Sequence, residues 1–219
     1  MSLIFYGHPF SSYCQKALIA LYEKDLAFTY REMSSADPSA GQEAARLWPL
    51  GKFPVLVSDG RTLAESSIII EYLDGIVPGD PPLIPSDRDA ALTVRTLDRV
   101  FDNYVMTPMN AFVFDAIRPP EQRDALSCVQ AGTMLDRAYA WLEETLTGRT
   151  WAAGEGFTLA DCAAAPSLFY ADWVYPIGAA YPTLAAYRAR LLARPSFARC
   201  VEEARPFRAL FPPGAPDRD

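Results

Sequence analysis

Histidine is nearly absent: the 219 residues contain one, His8. A zinc site built on imidazole is therefore not expected, and a Ser-His-Asp triad could call on no histidine but this one. His8 precedes a proline just after the first apolar run, where it reads as a structural loop residue. Cysteine is sparse and scattered, at Cys14, Cys128, Cys162 and Cys200, with no Cys-x-x-Cys pair. Four reduced, mostly buried thiols in a cytoplasmic protein are the expectation. Positive charge is in deficit, 20 Lys and Arg against 27 Asp and Glu, for a net charge of −7. Nucleic acid and anionic membrane surfaces both need a basic face, so neither is an expected partner. No window approaches the roughly 18 consecutive apolar residues of a membrane span. The opening Met-Ser-Leu-Ile-Phe-Tyr has no basic region and no long apolar stretch, so no secretory leader is expected. Internal repeats and low-complexity segments are also missing.

What is present is enough for one large domain or two small ones. A chain of this length buries about 70% of its unfolded surface and needs no disulfide staples. Residues 3–6 form a short run that is apolar on both faces, predicting a central strand. After the turn Gly7-His8-Pro9, a helical pattern runs to about Lys24. Residues 27–32 alternate as a second strand, and residues 39–47 form a modest helix. Asp59-Gly60 is a hairpin signal between residues 55–58 and 61–63. The next helix begins at Glu65-Ser66. The first 75 residues thus read β-α-β-α-β-β-α. Residues 75–85 carry four prolines, predicting a domain boundary with a linker at 77–86 between domains 1–76 and 87–219.

Everything beyond the linker has helical spacing, so the second domain is expected to be an all-α bundle. Ser86-Asp87-Arg88-Asp89 opens a helix that Pro108 should break or kink. Residues 110–117 are rich in aromatics. Pro119-Pro120 precedes a long helix from about 121 to 146. Thr158-Leu159-Ala160-Asp161 is a capping box, with Phe157 and Cys162 as its hydrophobic staple, and the helix it opens is apolar almost all round. Two shorter helices, at 182–193 and 196–204, close the chain. The tail after Phe211 is expected to be extended and mobile.

The stretch with most chemistry in it is Phe10-Ser11-Ser12-Tyr13-Cys14-Gln15-Lys16-Ala17. A strand that turns straight into a helix gathers free backbone N–H groups at one point, and these favour an anion. Cys14 shares a helix face with Ala17, Leu18 and Leu21 and so points into the core. Ser11 and Ser12 lie at the cap and escape that face. One of them serves as N-cap; the other hydroxyl is left unexplained. Pro54 abuts a strand start after Phe53, a bond with a raised chance of being cis. Glu65 and Ser66 stand at a second helix start.

These motifs resemble the soluble glutathione transferases, serine-type and theta- or zeta-like. Ser11-Ser12-Tyr13-Cys14-Gln15-Lys16-Ala17 is similar to a glutaredoxin C-P-Y-C-x-K-A motif with serine at the attacking position. Phe53-Pro54-Val55 resembles the family's cis-proline segment, residues 63–73 its acidic-serine helix start, and residues 157–161 its buried capping box. The resemblance implies an α/β thioredoxin-like domain followed by an all-helical domain. It implies glutathione as co-substrate, no metal, and a homodimer that covers apolar surface on the helix after Glu65. Carried over residue by residue, Ser11 would donate a hydrogen bond to the glutathione sulfur, with Ser12 as the alternative. Lys52 would meet the glycyl carboxylate, the Phe53 backbone beside Pro54 the cysteinyl part, Glu65 the γ-glutamyl ammonium and Ser66 the α-carboxylate. Asp161 would be structural. A second substrate, apolar and electrophilic, would lie between the domains against Phe10, Tyr104, Met109, Phe112 and Phe114. Three rivals stay open: a glutathione-dependent isomerase, a glutaredoxin-like thiol transferase, and a binding or regulatory protein without turnover.

Overall fold

The computed structural model describes residues 1–34, 38–77 and 82–219. Strands β1 (Leu3–Gly7), β2 (Thr29–Glu32), β3 (Val55–Ser58) and β4 (Arg61–Ala64) form one sheet in the order β2-β1-β3-β4. β1 is central, as its apolar faces require. It runs parallel to β2, with Phe5 opposite Tyr30, and antiparallel to β3, with Phe5 opposite Leu56. β3 and β4 are the expected hairpin. Asp59 and Gly60 both have positive φ, 46° and 86°, the conformation that a tight two-residue hairpin turn demands. The second strand is two residues shorter than its alternation predicted.

Helices α1 (Ser12–Glu23) and α3 (Ser66–Ile76) cover one sheet face, and α2 (Ser39–Leu47) covers the other. The α2 side is small: Tyr6, Ala40, Ala44 and Val55. The α1 side continues without a break into the second domain, where Phe5, Leu18 and Ile69 share a core with Val94, Phe101 and Leu168. That continuity explains why α1 is buried all the way from Cys14 to Leu21, including Gln15 and Lys16. Gly7 allows the tight packing at its start, since a Cβ there would meet Cys14 Sγ at 2.6 Å. The proline-rich boundary was expected at 77–86, of which residues 78–81 lie outside the described residues.

The second domain contains α4 (Arg88–Val100), α5 (Thr107–Ile117), α6 (Ala125–Leu146), α7 (Leu159–Val174), α8 (Pro182–Leu192) and α9 (Pro195–Ala204). α7 is its axis, buried along nearly its whole length. Two expectations are corrected here and one is narrowed. Pro108 does not break the helix: a π-helical segment, Phe101–Met106, joins α4 to α5. The wider turn lets the Thr107 N–H reach the Asp102 carbonyl and absorbs the missing proline donor. The long helix starts at Ala125, not 121, because Pro120–Gln122 makes a single 3-10 turn and Asp124 is the N-cap, accepting from the Ser127 N–H. The tail is not free. Arg205–Leu210 is a 3-10 segment, and Phe211 is buried against Phe10, Tyr170 and Trp173. Arg205 and Arg208 pair with Asp219 at 2.8 and 2.6 Å, and Arg218 pairs with Asp172 on α7.

Candidate functional site

A cleft of about 1040 Å³ lies between the two domains, with the start of α1 at its base. The α1 N-cap is Ser11, in extended backbone conformation; its Oγ accepts from the Cys14 N–H at 3.4 Å. This is a long bond, and the Ser11 hydroxyl also lies within hydrogen-bond reach of the Cys14 thiol, where it partly offsets the effect of burial. Ser12 is the first helical residue, and its hydroxyl makes no hydrogen bond to a described residue. Both serines line the cleft. The loop before them is fixed from behind. The Phe10 N–H donates to His8 Nδ1 at 3.1 Å, the Ser11 N–H to the His8 carbonyl at 3.0 Å, and the Gln15 amide to the Pro9 carbonyl at 2.9 Å. Burial pushes the His8 imidazole below its ordinary range, against the raising effect of Glu32. His8 is thus a neutral acceptor that shapes the loop.

Cys14 is fully buried, and burial pushes its thiol up to about 12. A thiol in that state supplies no thiolate at neutral pH, so dithiol chemistry has no partner here. Tyr13 also lines the cleft; burial and then the nearby Asp102 raise its phenol to about 12, which keeps it protonated.

Across the cleft stands the α3 N-terminus. Glu65 precedes it with φ 69° and ψ 117°, a conformation that L-residues rarely adopt and that costs about 1–3 kcal/mol. Its carboxylate neither caps the helix nor pairs with any described residue. Ser66 is nearly buried and its hydroxyl is likewise unpaired. A free carboxylate therefore lies beside a free hydroxyl and the bare N–H groups of a helix start, an arrangement complementary to an α-amino acid group. The peptide bond Phe53-Pro54 is cis, the isomer whose chance an aromatic residue before proline raises. Lys52, Phe53 and Pro54 form the third side of this half of the cleft.

The predicted residues Ser11, Ser12, Lys52, Phe53, Pro54, Glu65 and Ser66 are thus brought together, joined by Phe10, Met109 and Phe114. Tyr104 and Phe112 are not. Tyr104 turns to solvent from the π-helical segment, and Phe112 packs on Tyr175 at 6.2 Å. The π turn inserts a register shift between Asp102 and Met109, which changes which side chains of this wall reach the cleft. Three groups escaped the sequence reading. One is a buried ion cluster under the α3 start: Lys16 reaches Asp98 at 2.5 Å, Asp102 at 2.7 Å and Ser67 at 2.9 Å, with Arg99 closing it from the cleft side. The signal for it was Lys16 itself, a cation one residue from a strictly apolar stripe. Another is the pair Asn103 and Asn110. The third is the tail, which supplies Leu210, Phe211 and Pro212 to the wall.

Residues 5–81 match the family described as Glutathione S-transferase, N-terminal domain, and residues 105–195 match Glutathione S-transferase, C-terminal domain. A probable maleylacetoacetate isomerase from Vibrio cholerae is 30% identical over 216 residues, covering 94% of this chain and 98% of the relative. This chain belongs to the glutathione S-transferase family. Among solved structures it is similar to a glutathione S-transferase from Methylobacillus flagellatus with glutathione bound. The TM-score is 0.81 at 31% identity, over 91% of this chain and 98% of that one. A Methylobacterium radiotolerans glutathione S-transferase in complex with glutathione sulfonate gives 0.79 at 32% identity, over 92% and 95%. The two glutathione S-transferase domains are those expected from the β-α-β-α-β-β-α and all-helical halves. Among the described residues there is no cluster of metal-ligating side chains, and no helix is long and apolar enough to cross a membrane.

Proposed function

We propose that this protein is a glutathione transferase that joins glutathione to an apolar electrophile. The observation that carries the reading is the unpaired, conformationally strained Glu65 beside the open start of α3. Its carboxylate receives the γ-glutamyl ammonium; the Ser66 hydroxyl and adjacent N–H groups receive the α-carboxylate. Lys52 meets the glycyl carboxylate, and the backbone of Phe53 beside Pro54 holds the cysteinyl part. The sulfur then falls at the α1 start.

The energetics suffice. A free thiol ionises near pH 8.5, and lowering that by about two units requires about 2.7 kcal/mol in favour of the thiolate. A helix N-terminus contributes about 0.3–1 kcal/mol, up to about 2 in a partly buried site. A hydrogen bond to a charged group contributes about 1.5–3 kcal/mol. Ser11 makes that bond, its Oγ accepting from Cys14 N–H while its proton turns to the sulfur. Ser12, next along the helix, is the alternative donor. In the reaction the thiol loses its proton to solvent. The thiolate electron pair forms the C–S bond, and the leaving group departs with the pair of the bond that breaks. No histidine base is needed, because serine is a donor here and not a nucleophile.

A panel of electrophiles tests this. Wild type turns some of them over; Ser11→Ala lowers kcat/KM about tenfold or more and raises the apparent thiol pKa in the pH–rate profile by about one to two units. Full activity in Ser11→Ala with loss in Ser12→Ala moves the role one residue along. A glutathione-dependent isomerase is the second reading, supported by the Vibrio cholerae relative; glutathione recovered unconsumed while the substrate isomerises would select it. We place the protein in the cytoplasm as a homodimer. The exposed Ile76 on α3 and Leu92 on α4 support a covered surface there, and four free cysteines support a reducing setting.

A further inference from the structure

Away from Glu65, one continuous helix wall of the cleft changes chemistry step by step. Arg95 and Arg99 on α4 are followed by Asn103 in the π-helical segment, then by Asn110 and Phe114 on α5. Both cations are already engaged. Arg95 holds Glu71 through two bonds of 2.8 and 3.0 Å, and Arg99 holds Asp98 and Asp102 at 2.7 and 2.5 Å. The amides are not: neither Asn103 nor Asn110 makes a side-chain hydrogen bond with a described residue. The wall facing them is aromatic and aliphatic, built from Phe10, Tyr170, Leu210 and Phe211. At the cleft surface three cations (Lys52, Arg95, Arg99) stand with four carboxylates (Glu65, Glu71, Asp98, Asp102), and Lys16 beneath Asp98 and Asp102 supplies the fourth positive charge. Of the three, Lys52 has no partner among the described residues, and it lies beside Phe53 on the glutathione side.

We propose that the co-substrate half of the cleft selects an uncharged aromatic electrophile, whose nitro, ester or carbonyl oxygen accepts a hydrogen bond from Asn110 with Asn103 as a second donor, and rejects carboxylate-bearing ones. This rests on the glutathione reading above. With Lys16 counted beneath Asp98 and Asp102 the cleft's cations and carboxylates balance, so glutathione with its thiolate ionised makes the loaded cleft net negative. A further carboxylate would enter among aromatic side chains, neutral amides and two guanidiniums that already hold carboxylates, and burying a charge without a counter-charge of its own is unfavourable. A neutral acceptor loses little on entering and gains a hydrogen bond from an amide that has no partner among the described residues. An acidic substrate, of the kind for which the isomerase relative is named, would find no free cation on this wall.

Preformed conjugates separate this inference from turnover. Calorimetry on the full chain compares glutathione, S-(4-nitrobenzyl)glutathione and S-(4-carboxybenzyl)glutathione. The nitrobenzyl conjugate binds at least about tenfold more tightly than the carboxybenzyl one. Asn110→Leu weakens the nitrobenzyl conjugate about three- to tenfold, and Asn110→Lys tightens the carboxybenzyl conjugate about tenfold. Glutathione binding is the folding control in each variant. Equal affinity for the two conjugates, with glutathione bound normally, overturns the inference and leaves the glutathione reading standing. Failure of glutathione and both conjugates to bind overturns both. A response of the nitrobenzyl conjugate to Asn103→Leu but not to Asn110→Leu overturns the assignment of Asn110 as first donor.

Discussion

At the scale of single residues, this protein separates side chains that build the fold from side chains that wait for a ligand. Asp161 belongs to the first kind. It is fully buried, and its carboxylate accepts from the Ala152 N–H at 2.8 Å, the Thr158 N–H at 2.8 Å, the Thr158 hydroxyl at 3.0 Å and the Tyr187 hydroxyl at 2.6 Å. Every one of these donors is left buried and unpaired in Asp161→Ala. Each orphan costs about 1–3 kcal/mol, with partial relaxation, so the variant should lose about 3–5 kcal/mol in urea unfolding. A loss under about 1 kcal/mol would mean that the capping box is not what holds the start of α7. Glu65 belongs to the second kind: strained, unpaired and facing the cleft. Ser11 is both at once, a helix cap that also lines the cleft.

At the scale of elements, the loop between β1 and α1 and the tail that folds over it decide how the cleft is shaped. His8 accepts the Phe10 N–H only while its Nδ1 is unprotonated, and burial keeps its folded pKa below the ordinary 6.5. The unfolded chain therefore binds a proton first as pH falls. The stability owed to neutral His8 is fully present above about pH 6.5 and is lost as pH falls below it toward the folded value. His8→Asn, which retains an acceptor but not the titration, should flatten this part of the stability–pH curve from chemical denaturation; an unchanged curve would contradict the role. Phe211 seals the same loop by packing on Phe10. Phe211→Ala should raise KM for the electrophile several-fold and leave glutathione affinity alone, because the ring touches the co-substrate half only. Element order was legible in the sequence wherever a local rule applied: the β1 turn, the Asp59-Gly60 hairpin, the Thr158–Asp161 capping box. The π turn before Pro108 was not, because proline announces a disturbance without saying how a helix absorbs it. The docked tail was not legible either. Its anchors are long-range, Phe211 in an aromatic cluster on α7 and Arg218 on Asp172, and the local composition reads as mobile.

At the scale of the whole molecule, the two domains meet through charge as well as core. Lys16 of α1, Ser67 of α3, Asp98 of α4 and Asp102 of the π-helical segment converge directly beneath the residues assigned to glutathione. The proposed grip on glutathione is therefore backed by both domains, although the residues proposed to face its amino acid group come from the first. Most of that first-domain grip was legible from motif and spacing, because it sits at chain turns. The second-domain wall was not, since which face of a helix lines a cleft depends on packing that no local pattern records. The central claim is that Glu65 is held strained and unpaired to receive the ammonium group of glutathione. Titration calorimetry with glutathione on wild type and Glu65→Ala, alongside urea unfolding of both, tests it most directly. The account predicts micromolar-to-millimolar binding that weakens about tenfold or more in the variant, while stability changes by less than about 1 kcal/mol because the carboxylate bonds to no described residue. Equal affinity in the two proteins, or no binding of glutathione to wild type, would contradict it.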